Sequence, residues 1–163
     1  MFLNGAKVED FGTYTEPASE FTYENGIYTL QTVTASALTD ILADASTNSY
    51  NDITIQLAED QSLAWAAGPA GSGANKLSHT GKVTIKGGTL SVTGAGSFVV
   101  ENELELEGVT VVDNTAYYSE NGETAWEFCY LELTAKGTYK NCTFENTIMV
   151  DGQSAVYDCY PWH

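Results

Sequence analysis

The stretch that decides the fold is residues 82–114, KVTIKGGTLSVTGAGSFVVENELELEGVTVVDN. Two segments in it have the same form: residues 83–85 (VTI) lead to Gly87, and residues 104–106 (LEL) lead to Gly108. In both, apolar and polar residues alternate with period two, which is typical of a strand with one buried face. Because a single strand–corner–strand unit cannot bury its apolar face alone, its recurrence predicts stacked coils.

The same unit can be aligned along the second half of the chain. The equivalent inward residues are Ile85, Leu106, Tyr139 and Val156. Each is followed by a corner residue, and these corners are Gly87, Gly108, Asn141 and Asp158. Two of the corners lead to Cys142 and Cys159, which we expect to be buried neighbours; the sequence leaves open whether they form a disulfide.

Alternation also predicts which side chains face outward. One predicted outer row contains Thr84, Glu105 and Thr138, and the next contains Lys86, Glu107 and Lys140. Opposite charges on neighbouring strands favour this register by about 0.2–1 kcal/mol per pair. We therefore assign structural roles to the charged row and to the last two aligned corners with the cysteines that follow them. These residues are Lys86, Glu107, Lys140, Asn141, Asp158, Cys142 and Cys159.

The first 60 residues are expected to form an N-terminal segment with one helix and the first strand. Residues at about 36–45 place Leu38, Ile41, Leu42 and Ala45 on one helical face, which predicts an amphipathic helix. Residues 61–81 are rich in Gly and Ala and predict a loop excursion. Residues 82–163 then form the coils, and the whole chain is expected to be a single domain.

The aligned segments VTIKGG (83–88), LELEGVTVVDN (104–114) and TYKNCTFENT (138–147), together with the preceding helix, resemble a known family. They are similar to the right-handed parallel β-helix repeats of the pectin-lyase-like superfamily, and in particular to adhesin-like surface proteins of gut bacteria and archaea. The resemblance implies an all-β solenoid whose first coil is capped by the short helix. It implies no particular activity, because this scaffold is used by enzymes and by adhesins.

Composition excludes several classes of function. With 22 acidic residues, 6 lysines and no arginine, the net charge of −16 argues against binding nucleic acid or an anionic membrane. No apolar stretch is long enough to predict membrane insertion, and the sequence begins without a signal-peptide pattern. Composition instead suggests an extracellular or cell-surface protein. An acidic mimic or inhibitor is a further alternative that the charge leaves open.

No catalytic, metal-binding or cofactor-binding motif is predicted. Lyases of the family that this sequence resembles rely on a basic residue that abstracts a proton, whereas the lysines here occupy strand or corner positions. Glycoside hydrolases need two converging carboxylates, and Glu103, Glu105 and Glu107 are instead spaced along one strand face. His79 and His163 have no neighbouring nucleophile motif. These observations argue against catalysis. A polysaccharide lyase, a glycoside hydrolase or an inactive remnant of either stays an alternative to a non-catalytic role.

The candidate binding residues are aromatic. Tyr117, Tyr118 and Trp126 lie on or beside a predicted protruding loop, and Trp65 lies in the other excursion. Such side chains can stack on sugars or contact a protein surface. The sequence predicts a non-catalytic structural or adhesive module that binds a glycan or a surface protein. The exposed end of the predicted solenoid is a candidate contact between copies of the chain.

Overall fold

The structure is a computed structural model of the 163-residue chain. It describes residues 2–3, 6–7, 18–66, 75–93, 97–113, 117–118, 124–125, 129–133, 136–145, 147–150 and 155–157.

The described elements are short strands and one helix. The N-terminal part contains β1 (Phe2–Leu3), β2 (Ala6–Lys7), β3 (Glu20–Glu24), β4 (Ile27–Thr32) and α1 (Ala37–Thr47). The next two groups of strands are β5 (Ile53–Gln56), β6 (Ser62–Ala66), β7 (Asn75–Leu77), then β8 (Val83–Lys86), β9 (Thr89–Thr93) and β10 (Ser97–Val100). The remaining strands are β11 (Leu104–Glu107), β12 (Thr110–Asp113), β13 (Tyr117–Tyr118), β14 (Thr124–Ala125), β15 (Cys129–Leu133), β16 (Gly137–Lys140), β17 (Thr143–Glu145), β18 (Thr147–Val150) and β19 (Ala155–Tyr157).

Strands from successive groups pair with one another in three larger sheets. The longest sheet has the order β19-β16-β11-β8-β5-β4-β3, and the other two have the orders β17-β12-β9-β6 and β18-β15-β10-β7. Pairing is parallel except between β3 and β4, which form an antiparallel hairpin at one edge. Two small antiparallel pairs, β1-β2 and β13-β14, complete the described sheets.

The core is built from rows of apolar side chains that the strand register stacks. In the seven-stranded sheet the inner row runs through Tyr28, Ile55, Ile85, Leu106 and Tyr139, and every member is buried. The parallel pairing also matches Tyr139 with Val156 on β19, so the predicted alignment of these coil positions is confirmed. A second buried row in the β6-containing sheet contains Leu63, Leu90, Val111 and Phe144.

The helix α1 is part of this core. Its buried side chains, Ala37, Leu38, Ile41 and Ala45, lie on one face, as the spacing predicts. A hydrogen bond also fastens the helix to the sheet, because the Tyr28 hydroxyl donates to Asp44 Oδ2 over 2.6 Å. Burial, this hydrogen bond and the nearby carboxylate charge together raise the pKa of Tyr28 well above its usual range.

The three aligned corners that the structure describes share one unusual backbone conformation. Gly87, Gly108 and Asn141 have φ values of 72°, 64° and 52°, all in the left-handed region. Glycine adopts this region without steric cost, and asparagine enters it more readily than most other residues. The corner residues that the repeat alignment picks out therefore share a conformational requirement as well as a position.

The predicted fold class is wrong. The sequence predicted an all-β solenoid of right-handed parallel β-helix type, but the described residues form mixed sheets with a core-forming helix in an α/β-like arrangement. They contain antiparallel as well as parallel pairs and do not trace a closed solenoid. The physical reason is that period-two alternation and corner glycines specify strand pairing and register. They do not specify how the sheets close or what an intervening helix contributes.

The structure also differs from the predicted loop excursion at residues 61–81. This range contains β6 and β7, and β6 pairs in parallel with β9 through Leu63↔Leu90 and Trp65↔Val92. A high content of small residues obscured the period-two signal of these strands. Within the described ranges, no helix has the length and apolar character needed to cross a bilayer.

The corners yield a prediction about substitution. A Cβ at Gly87 would lie 2.8 Å from the Leu57 carbonyl oxygen, whereas a Cβ at Gly108 would meet nothing within 4 Å. We expect Gly108→Asn to lower the free energy of unfolding by about 1 kcal/mol or less, and Gly87→Asn by more than about 2 kcal/mol. Urea unfolding of both variants measures the difference. Equal losses of unfolding free energy in the two variants would show that the close approach of the Leu57 carbonyl oxygen to Gly87 does not add to the cost of a side chain there.

The bond between helix and sheet yields a second prediction. Tyr28→Phe removes a hydrogen bond to a carboxylate and should lower the free energy of unfolding by about 1.5–3 kcal/mol at neutral pH. Because the folded-state pKa of Tyr28 is raised, the tyrosine's contribution is complete below its unfolded pKa of about 10 and falls as pH rises above that value. The stability gap between wild type and variant should therefore shrink in alkaline urea titrations. A gap that stays constant would contradict the prediction.

Candidate functional site

The outward side of β5, β8, β11 and β16 is a polar surface, which we call the ladder face. Strand register places its side chains in three rows that run across the strands. The first row precedes the strands and contains Asp52, Lys82, Glu103 and Lys136. The second row contains Thr54, Thr84, Glu105 and Thr138. The third row contains Gln56, Lys86, Glu107 and Lys140.

Glu105 is at the centre of the ladder face and is held by two lysines. Lys82 Nζ donates to its Oε2 and Lys140 Nζ donates to its Oε1, each over 3.2 Å. Burial of Glu105 raises the pKa of its carboxyl, but the hydrogen bonds and charges of Lys140 and Lys82 outweigh that effect and lower the pKa below its usual range. The carboxylate is therefore ionised and fully engaged at neutral pH.

A second ion pair lies in the third row. Lys86 Nζ is 3.4 Å from Glu107 Oε2, and both side chains are more than two-fifths exposed. Lys140 is in the same row on the other side of Glu107, but its ammonium reaches diagonally to Glu105. The structure thus brings together Lys86 and Glu107, whereas Lys140 belongs to the network around Glu105.

The ladder face is electrically balanced. It has four lysines and four carboxylates, and these include every lysine from 82 onward in the chain. Because these charges cancel, the net charge of −16 belongs to residues elsewhere in the chain. A neutral surface on so acidic a molecule is where another molecule can approach with the least repulsion.

A shallow groove of about 330 Å³ crosses this face beside the turn between β3 and β4. The turn contributes Asn25, which lines the groove together with Asp52, Thr54, Lys86 and the Lys82–Glu105 pair. The lining offers hydroxyl, amide, ammonium and carboxylate groups within one concave surface. Such a set can form hydrogen bonds to a polar ligand, and one-sided strand alternation with turn signals is the sequence pattern that would have indicated it.

Of the four aromatic residues predicted to bind a ligand, the structure describes the side-chain environment of Trp65. Trp65 is only 8% exposed and belongs to the core, so its ring is not available for stacking on a ligand. Tyr117 and Tyr118 form β13, which pairs with β14 as an antiparallel hairpin at the predicted protruding loop. Trp126 lies outside the described residues. The predicted binding residues are aromatic side chains in expected loops, whereas the groove is lined by polar residues of strands and of the turns and connections beside them.

The remaining structural assignments fall at a corner and in the core. Asn141 is the exposed left-handed corner after β16. Cys142 is completely buried, and its Sγ lies 3.4 Å from the Leu106 carbonyl oxygen. Asp158 and Cys159 lie outside the described residues.

No family model, curated protein or solved structure matches this chain. In the part of the chain that the structure covers, no three His, Cys, Asp or Glu side chains are grouped so that they could hold a metal ion.

The network around Glu105 predicts a dependence of stability on pH. Because the folded-state pKa is lowered, the stabilisation is present above the unfolded value of 4.5 and is lost as pH falls through the folded value. Glu105→Gln should therefore lower the free energy of unfolding by about 1 kcal/mol at neutral pH and by little in strong acid.

Glu107→Gln is the matched control for this measurement. It breaks one exposed pair, so we expect a loss of only about 0.3 kcal/mol. Denaturant unfolding at neutral and acidic pH measures both variants. A Glu105→Gln effect that persists unchanged in acid would show that the carboxylate charge is not the stabilising element.

Proposed function

We propose that this chain is a non-catalytic structural and adhesive module, displayed outside the cell, that binds a glycan through the groove on its ladder face. The observation that supports this most is the state of Glu105. It lies in the groove, but two lysines hold it ionised. A general acid for glycoside hydrolysis needs a raised pKa, and Glu105 has the opposite shift.

The chemistry of the groove favours a polar, hydroxyl-rich partner. Thr54 and Asn25 supply neutral donors and acceptors, and Lys86 adds an ammonium at the groove edge. A glycan has many hydroxyl groups and little apolar surface, so it suits a shallow polar groove better than an apolar one. The balanced charge of the ladder face would also repel an acidic glycan less than the rest of this acidic chain would.

The proposal predicts glycan binding without glycan cleavage. The full chain should bind a defined subset of an immobilised glycan array and should release no reducing sugar from pectin or host glycans. Lys86→Ala should weaken binding to the selected glycans by about tenfold, because it removes one charge-assisted hydrogen bond from the groove.

Lys136→Ala is the matched control, since Lys136 is an exposed lysine of the ladder face that does not line the groove. Its binding should equal that of wild type. Release of reducing sugar would contradict the non-catalytic proposal. Absence of binding across the array, or equal losses in the two lysine variants, would contradict the groove as the binding surface.

A further inference from the structure

A second concavity of about 430 Å³ lies at the C-terminal end of α1, and its lining residues differ from those of the groove. Leu42 and Ser46 of the helix line one side, and Ser49 and Asn51 of the connection to β5 line another. Residues 78–80, which connect β7 to β8, close the third side. Its volume is within the range of small-molecule sites, and its lining is polar except for Leu42.

His79 ties two of these segments together and has a defined tautomer. Its Nε2 lies at hydrogen-bond distance from the Asn51 backbone carbonyl oxygen. A carbonyl can only accept, so Nε2 carries the proton and Nδ1 of the neutral ring is an acceptor. Thr80 Oγ1 also donates to Asn51 Oδ1 over 3.5 Å, which braces the same wall. The imidazole is thus oriented by the protein and retains one acceptor for a ligand.

Three exposed serines line the same cavity as this imidazole. Among the described residues, no group hydrogen-bonds the hydroxyls of Ser46, Ser49 or Ser78, all of which line the cavity. Ser49 also adopts a φ of 58° at the end of the helix, a position where glycine is usual. The chain therefore places a hydroxyl at the cavity in a backbone conformation that glycine would adopt with less strain.

The lining selects against charged ligands. The described residues that line it include neither a carboxylate nor an ammonium group. The helix C-terminus also attracts a cation less strongly, because its last carbonyls already accept hydrogen bonds from backbone N–H groups. These bonds run from Asn48 to Asp44, from Tyr50 to Ala45 and from Ser49 to Ser46. Neutral donors and acceptors beside one apolar side chain match the surface of an uncharged sugar ring, with its hydroxyls and its C–H face.

We propose that this cavity binds one neutral hexose unit, with Nδ1 of His79 accepting a hydrogen bond from a sugar hydroxyl. The inference deepens the proposed function and rests on it for the choice of a glycan as the ligand. The cavity would recognise a terminal sugar, and the groove on the ladder face would hold another part of the glycan.

The test is an amide NMR titration of the full chain with the methyl glycosides of glucose, galactose and mannose and with N-acetylglucosamine. Glucuronate and glucosamine serve as charged comparators. At least one neutral sugar should shift the amides of residues 46–51 and 78–80 in a saturable way, and the charged sugars should bind more weakly. No saturable shift with any neutral sugar would overturn the inference.

Two variants separate a binding role from a structural one. His79→Gln keeps a donor near the Asn51 carbonyl and replaces the Nδ1 acceptor by an amide oxygen at a different position, so affinity should fall about tenfold with little change in melting temperature. Ser49→Gly should raise the melting temperature by about 2–4 °C and still weaken binding. Thr22→Ala, on the exposed face of β3, should change neither. Unchanged affinity in both cavity variants would overturn the inference.

Failure of this inference and failure of the proposed function have different signatures. Array binding that depends on Lys86 and not on His79 leaves the proposed function intact and removes the cavity from it. Saturable sugar shifts at the cavity, combined with no binding to any array glycan, support the cavity and contradict the adhesive role.

Discussion

Parallel pairing in one register is the constraint on which the rest of this structure depends. The pairing that stacks Ile55, Ile85 and Leu106 inside also places Lys82 and Lys140 on either side of Glu105 outside. Side chains alternate along a strand, so a shift by one residue would expose the inner row and bury the charges. The core and the ladder face are therefore two results of the same pairing, and neither can change register without the other.

Much of this pairing could be predicted from the sequence, because it depends on local patterns. The period-two segments ending in Gly87 and Gly108 identified the strands, and their alignment gave the partners that β8, β11 and β16 have in the structure. The turn at Asn25–Gly26 is an equally local feature, because Asn-Gly is a strong turn signal and both residues adopt left-handed φ values. Such features need only a few neighbouring residues to be recognised.

Features that depend on the third dimension could not be predicted in the same way. Trp65 was predicted to lie in a Gly- and Ala-rich loop excursion as a candidate binding residue, but β6 pairs with β9 and places the ring in the core. The spacing of rows predicted Lys140 beside Glu107, yet a flexible four-carbon side chain reaches the more buried Glu105. The cavity beside His79 joins a helix end to a connection about 30 residues later, and no local pattern reports that proximity.

The uneven distribution of charge between the ladder face and the rest of the chain affects how the molecule approaches a charged surface. The charges of the ladder face cancel, and the 16 excess negative charges belong to residues outside it. An anionic surface would repel the ladder face less than the rest of the chain, and would therefore turn the ladder face toward itself before any contact forms. Screening limits this torque to separations of about 8 Å at physiological salt, so dilute media would orient the protein over longer distances.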